Sequence, residues 1–181
     1  MTILVVSATP EEAAHVPASY RLLITGVGKV ASATAVADAL ARDPEISEVV
    51  NIGSAGALHD HLAGLHLVGS VHNHDLSAQA LRGFGYDPQE WITVGDGIRL
   101  ATGDLFVADP AVRARLAQVA DLVDMEGYAV TWAAQRAGVP VTLVKHVSDH
   151  ADDGAWEWAA VIDESARELA AWLREHRPAA G

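Results

Sequence analysis

Apolar residues along this chain fall into two alternating patterns. Short runs rich in β-branched residues occupy 3–8 (ILVVSA), 20–27 (YRLLITGV), 48–53 (EVVNIG), 65–73 (LHLVGSVHN), 98–104 (IRLATGD), 122–125 (LVDM) and 140–149 (PVTLVKHVSD). Each reads as a buried or half-buried strand. Segments with apolar residues at helical spacing cover 29–43, 109–121, 127–137 and 156–176. Gly138 followed by Pro140 stops the third of these as a helix end should. Strands alternating with helices predict an α/β sheet protein. In such sheets ligands gather at the carboxyl ends of strands. The polar clusters Thr9-Pro10-Glu11-Glu12, Gly53-Ser54-Ala55-Gly56, Gly103-Asp104, Asp124-Met125-Glu126 and Ser148-Asp149 all fall there.

The chain has 181 residues, half of them hydrophobic, which suits one domain over 1–176 with a loose tail at 177–181. A net charge of −12 disfavours nucleic acid and anionic membrane surfaces as partners. The absence of cysteine excludes a disulfide framework, a thiol nucleophile and a thiolate metal site. The opening MTILVVSA lacks a basic leader and a long apolar run, so a cytoplasmic protein is expected.

Several motifs offer chemistry. TGVGKVAS (25–32) follows a strand and opens a helix, matching G-x-G-x-x-A. The next strand ends NIGSAG without the acidic residue a dinucleotide fold places there, so the glycines serve close packing and a ligand-facing loop. GSAG (53–56) is not a nucleophile elbow. It reads either as a tight turn or as small residues that let backbone N–H groups and Ser54 face a pocket. The histidines at 59, 61, 66, 72 and 74 show no ordered spacing to a carboxylate, so no metal site is expected. Asp149 ends an apolar strand, where partial burial favours a carboxyl that holds a proton near neutrality. Helix capping fits Asp152 or Asp153 better.

Together ILVVSATPEE, TGVGKVASA, VVNIGSAGAL, HD followed by FGYDP, ATGDLFVAD, VDMEGYA and VSDHAD resemble, in order, segments of the nucleoside phosphorylase/nucleosidase superfamily. The resemblance is greatest to its 5'-methylthioadenosine/S-adenosylhomocysteine nucleosidase branch. It implies a three-layer α-β-α domain with a mixed central sheet. It further implies a purine nucleosidase that uses no cofactor and forms a homodimer or higher homo-oligomer. By the same resemblance Asp149 would protonate purine N7, with Ser148 beside it, and Glu12 would activate water near Ser54. Phe106 would stack on the base and the Val107 backbone would read its edge. Met125 would pack against ribose, Glu126 would accept from its 2'- and 3'-hydroxyls, and Asp124 would be structural. Phe84 and Tyr86 resemble residues that enter a neighbouring subunit's 5' pocket. Asp149, rather than asparagine, leans toward 6-aminopurines.

Two departures from the branch stand out. The connection from Glu12 to Tyr20 is much shorter, and Trp156 and Trp158 replace a differently arranged flap. A phosphorylase of the same superfamily needs cations for phosphate, whereas the strand ends carry Glu11, Glu12, Asn51 and Ser54, with Lys29 the one nearby cation the sequence suggests. Hydrolysis is therefore favoured. A futalosine hydrolase, and a nucleoside-binding protein without turnover, remain alternatives.

Overall fold

The computed structural model describes residues 2–152 and 158–179. Along them run β1 (Thr2–Ser7), β2 (Arg21–Ile24), α1 (Lys29–Arg42), β3 (Ile46–Ala57), β4 (Leu65–Asn73), α2 (Ala78–Gly83) and β5 (Trp91–Thr93). The chain continues with β6 (Ile98–Thr102), α3 (Pro110–Leu116), β7 (Leu122–Asp124), α4 (Gly127–Arg136), β8 (Val141–Asp149) and α5 (Trp158–His176). The strands form one mixed sheet in the order β2-β1-β3-β7-β6-β4-β5, with β8 paired to both β3 and β4. Because β8 runs parallel to β3 and antiparallel to β4, the strands β3, β7, β6, β4 and β8 close into a ring.

Alternate residues of the central strands point to opposite faces. Val6 and Val49 pack with Val36 and Leu40 of α1 and with Val130 and Ala133 of α4. Their neighbours Val5 and Val50 pack with Leu169 and Leu173 of α5. Helices thus cover both faces of a mixed sheet, the three-layer arrangement expected.

Two elements escape the apolar pattern, α2 and β5, of six and three residues. Neither is long enough to display a period. GSAG is not a turn: β3 continues through it to Ala57. Small residues are needed there because groups from neighbouring elements lie directly over the strand. A Cβ on Gly56 would sit 2.9 Å from both Asp149 Oδ1 and the Ala151 methyl.

The expected helix start at Trp156, and Asp153 as a cap, lie outside the described residues, as do 180–181. The first tail residues are tied down rather than loose. Arg177 Nε donates to Glu48 Oε1 at 2.9 Å, and Ala179 packs beside Leu169 and Leu173. Among the described residues no helix is long and apolar enough to cross a membrane.

Candidate active site

A cavity of about 300 Å³ opens over the carboxyl ends of the sheet. It is lined by Thr9 and Glu12 after β1, Ser54 and Gly56 in β3, and Ser148 and Asp149 at the end of β8. Phe106 and Val107, between β6 and α3, and Met125 and Glu126, between β7 and α4, complete it. These residues are far apart in sequence, and the sheet topology brings them together.

Glu12 is 5 % exposed. Its Oε1 accepts from the Ser54 amide at 2.7 Å and the Ser54 hydroxyl at 2.8 Å, while Oε2 accepts from Ser7 Oγ at 3.3 Å. Thr9 Oγ1 accepts from the Glu12 amide and fixes the turn that carries it. The short connection to Tyr20 therefore leaves Glu12 firmly held against β3.

Across the cavity, Asp149 Oδ2 accepts from Ser148 Oγ at 2.7 Å and Oδ1 from the Ala151 amide at 2.8 Å. Ala151 adopts a left-handed backbone (φ 51°), uncommon for a residue with a side chain, and this brings its N–H round to the carboxylate.

Glu126 also lines the cavity and is 9 % exposed. Its Oε1 accepts from the Gly28 amide at 2.8 Å. The glycine pattern of TGVGKVAS finds its reason here. Gly28 has φ 96°, a conformation that disfavours side chains, and it turns its N–H toward Glu126 as α1 begins.

Burial and the negative charge of Asp124 raise the Glu126 pKa to about 7, against the opposing pull of Lys145. Between the ordinary carboxyl value and about 7, the folded chain holds a proton that the unfolded chain has lost. Conformational stability from this group therefore falls as pH rises through that window. A ligand that donates hydrogen bonds to Glu126 needs the ionised acceptor. Binding of such a ligand is therefore expected to strengthen as pH rises to about 7, with the dependence abolished in Glu126→Gln. A flat profile in the unsubstituted protein would contradict this.

Beneath the cavity lies a group that the motif reading missed. Lys145 is 2 % exposed and its Nζ is 2.9 Å from Asp124 Oδ2. Burial alone would lower its pKa, but Asp124, Glu126 and Glu12 around it hold it above the ordinary lysine value. A signal was present in the sequence. A lysine in the apolar run VTLVKHV, pointing inward, requires a buried counter-charge. Asp124 is tied to its surroundings as well: Oδ1 accepts from Thr102 Oγ1 at 2.6 Å and Oδ2 from the Gly127 amide at 2.8 Å.

Lys29, the cation the sequence suggested, does not line the cavity. Its Nζ binds Asn73 and Asp75, and its amide donates to Asp104. Phe84 and Tyr86 also lie outside the cavity, 79 % and 67 % exposed after α2. His72 stacks on Trp91 at 4.2 Å, and His74 packs over Gly103. Among the described residues no three histidines, aspartates or glutamates are grouped to hold a metal.

Residues 74–175 match the family model described as the phosphorylase superfamily, and the chain belongs to that superfamily. Two curated relatives carry the name 5'-methylthioadenosine/S-adenosylhomocysteine nucleosidase. One, from Treponema pallidum, is 41 % identical over 76 residues, covering 41 % of this chain and 28 % of the relative. The other, from Shewanella sp., is 28 % identical over 159 residues, covering 71 % of this chain and 67 % of the relative. The chain thus spans from under a third to about two thirds of the length of these relatives.

Among solved structures, a Streptococcus pneumoniae MTA/SAH nucleosidase in complex with 8-aminoadenine superposes with TM-score 0.85 at 25 % identity. That match covers 99 % of this chain and 100 % of the other. A futalosine hydrolase mutant of Helicobacter pylori has the same fold, with TM-score 0.84 at 21 % identity over 96 % of this chain and 97 % of that one.

Proposed function

We propose that this chain is a purine nucleosidase that hydrolyses the N-glycosidic bond of an adenine nucleoside such as methylthioadenosine or adenosylhomocysteine. The observation that carries the reading is one cavity lined by three separately held carboxylates, Glu12, Asp149 and Glu126. Asp149 donates its proton to N7 as the C1'–N9 bond breaks and the bond's electron pair leaves with the base. The sugar passes through an oxocarbenium-like state with its charge facing the carboxylates. Water, held by Glu12 and Ser54, adds its oxygen to C1' and gives its proton to Glu12. The products are free base and free sugar. Opposite roles for two carboxylates follow the logic of glycoside hydrolysis.

Phe106 and Val107 bound the base side, with Ser148 orienting Asp149, and Met125 and Glu126 form the ribose floor. Glu126 accepts from the 2'- and 3'-hydroxyls, charged hydrogen bonds worth about 1.5–3 kcal/mol each. Glu126→Gln is expected to lower kcat/KM about tenfold or more, with a clearly smaller loss on a 2'-deoxynucleoside. Equal losses on both substrates would remove Glu126 from the 2'-hydroxyl. The reading is tested by a panel of methylthioadenosine, adenosylhomocysteine, adenosine, inosine and futalosine, with chromatography of released base with and without phosphate. The phosphate-dependent alternative has less support. Glu12, Asp124, Glu126 and Asp149 line the cavity, and the described lining residues include no lysine, arginine or histidine. A phosphate dianion would meet repulsion there.

The same reading includes a homodimer, with the cytoplasm as its compartment. A second, apolar groove of about 430 Å³ is lined by Val30, Ala33, Leu76, Pro88, Tyr128 and Trp132 among others. Val30 is 78 % exposed, and the Phe84–Tyr86 loop follows the adjoining α2. An apolar patch of this kind favours cover by a second copy. Its aromatics would then reach the partner's 5' pocket. Sedimentation should give a dimer, and Val30→Asp should shift it toward monomer with loss of activity. A fully active monomer would overturn this part of the reading.

A further inference from the structure

We infer that the buried Lys145–Asp124 pair is a positioning device that holds Glu12 and Glu126 as one constellation, with the Lys145 charge favouring the acceptor form of Glu126 that a vicinal diol requires. The inference rests on the nucleosidase reading of the site. Asp124 has its acceptor sites filled by three donors: Thr102 Oγ1, the Gly127 amide and Lys145 Nζ. Gly127 opens α4 and directly follows Glu126, so the pair fixes the backbone that aims Glu126 into the cavity. On the other side Lys145 passes beside Gly53 of β3. A Cβ on Gly53 would lie 3.2 Å from both Lys145 Nζ and Glu12 Oε1, so the ammonium sits close to Glu12, and its charge acts on Glu126 as well.

The charges facing Glu126 come from every element packed against it. Asp124 comes from β7, Lys145 from β8 and Glu12 from the turn after β1, and the Gly28 N–H adds the positive end of α1. Lys145 is the single full cation in that set, against two other carboxylates. Without it, three carboxylates would share one buried space and at least one would take up a proton. A buried ion pair is weak evidence for stability in itself, since a well-packed apolar pair often serves as well. Its charge acts on both Glu12 and Glu126, which gives this one a different use.

The test is the pH profile of kcat/KM for the full chain and three variants. Lys145→Met keeps length without charge and should move the acid limb up by about one pH unit or more. Activity should then fall far more at pH 6 than at pH 9. Lys145→Arg should restore the limb. Asp124→Asn removes a negative charge beside Glu126 and should move the limb the opposite way, to lower pH. Lowered Tm with uniform loss at every pH and unmoved limbs would overturn the inference, leaving the pair merely structural. If Lys145→Met does not fold, an unmoved limb in Asp124→Asn overturns it alone. Calorimetric binding of methylthioadenosine across the same pH range, at a temperature where turnover is slow, reads the limbs without catalysis. An unsubstituted chain that releases no base from any nucleoside defeats the nucleosidase reading instead, and the two failures are distinct.

Discussion

Asp149→Asn is expected to lower turnover by about 10²–10⁴-fold while nucleoside binding changes only a few-fold. The substitution keeps the shape of the side chain and its ability to accept from Ser148 or the Ala151 amide. What it removes is a proton that can be transferred. A purine anion is a poor leaving group, so without N7 protonation the barrier rises by the whole contribution of the acid. Single-turnover kinetics with methylthioadenosine checks the result, and a variant within a few-fold of the unsubstituted rate would move the acid elsewhere.

Glu12→Gln should reduce hydrolysis by a similar order, about 10²–10⁴-fold, with binding measurable because the base and diol contacts remain. The amide cannot take a proton from water. It also disturbs a tight arrangement, since Oε1 now accepts from both the amide and hydroxyl of Ser54. A glutamine NH₂ turned to that side would face two donors, so the amide oxygen is forced there and the NH₂ toward Ser7. The rotamer is thereby defined, and loss of rate can be assigned to loss of basicity. Equilibrium binding of an adenine nucleoside beside steady-state rates gives the comparison. Normal hydrolysis by Glu12→Gln would show that another group activates water.

Much of this site was legible in the sequence because its residues stand at strand ends, where apolar runs stop and polar clusters begin. Glu12, Ser54, Met125, Glu126 and Asp149 were all found that way, and the cavity gathers them. The ring closure of the sheet was not legible, because β8 pairing with both β3 and β4 depends on register between distant strands. GSAG was ambiguous for a related reason. Glycine and serine signal a turn locally, but here they make room for Glu12, Lys145 and Asp149 over a continuing strand. Lys145 has no local partner to mark it, since Asp124 lies 21 positions earlier and only the fold brings the two to 2.9 Å. Lys29 drew attention by standing beside a glycine motif, yet its ammonium is held by Asn73 and Asp75.

The most direct measurement of the central claim is product analysis after incubation of methylthioadenosine with the protein in phosphate-free buffer, repeated with added phosphate. Hydrolysis at a carboxylate-lined cavity predicts free adenine and the free methylthio sugar in equal amounts, at a rate that phosphate does not raise. A sugar 1-phosphate that forms only when phosphate is present, or no release of base from any nucleoside of the panel, would contradict it.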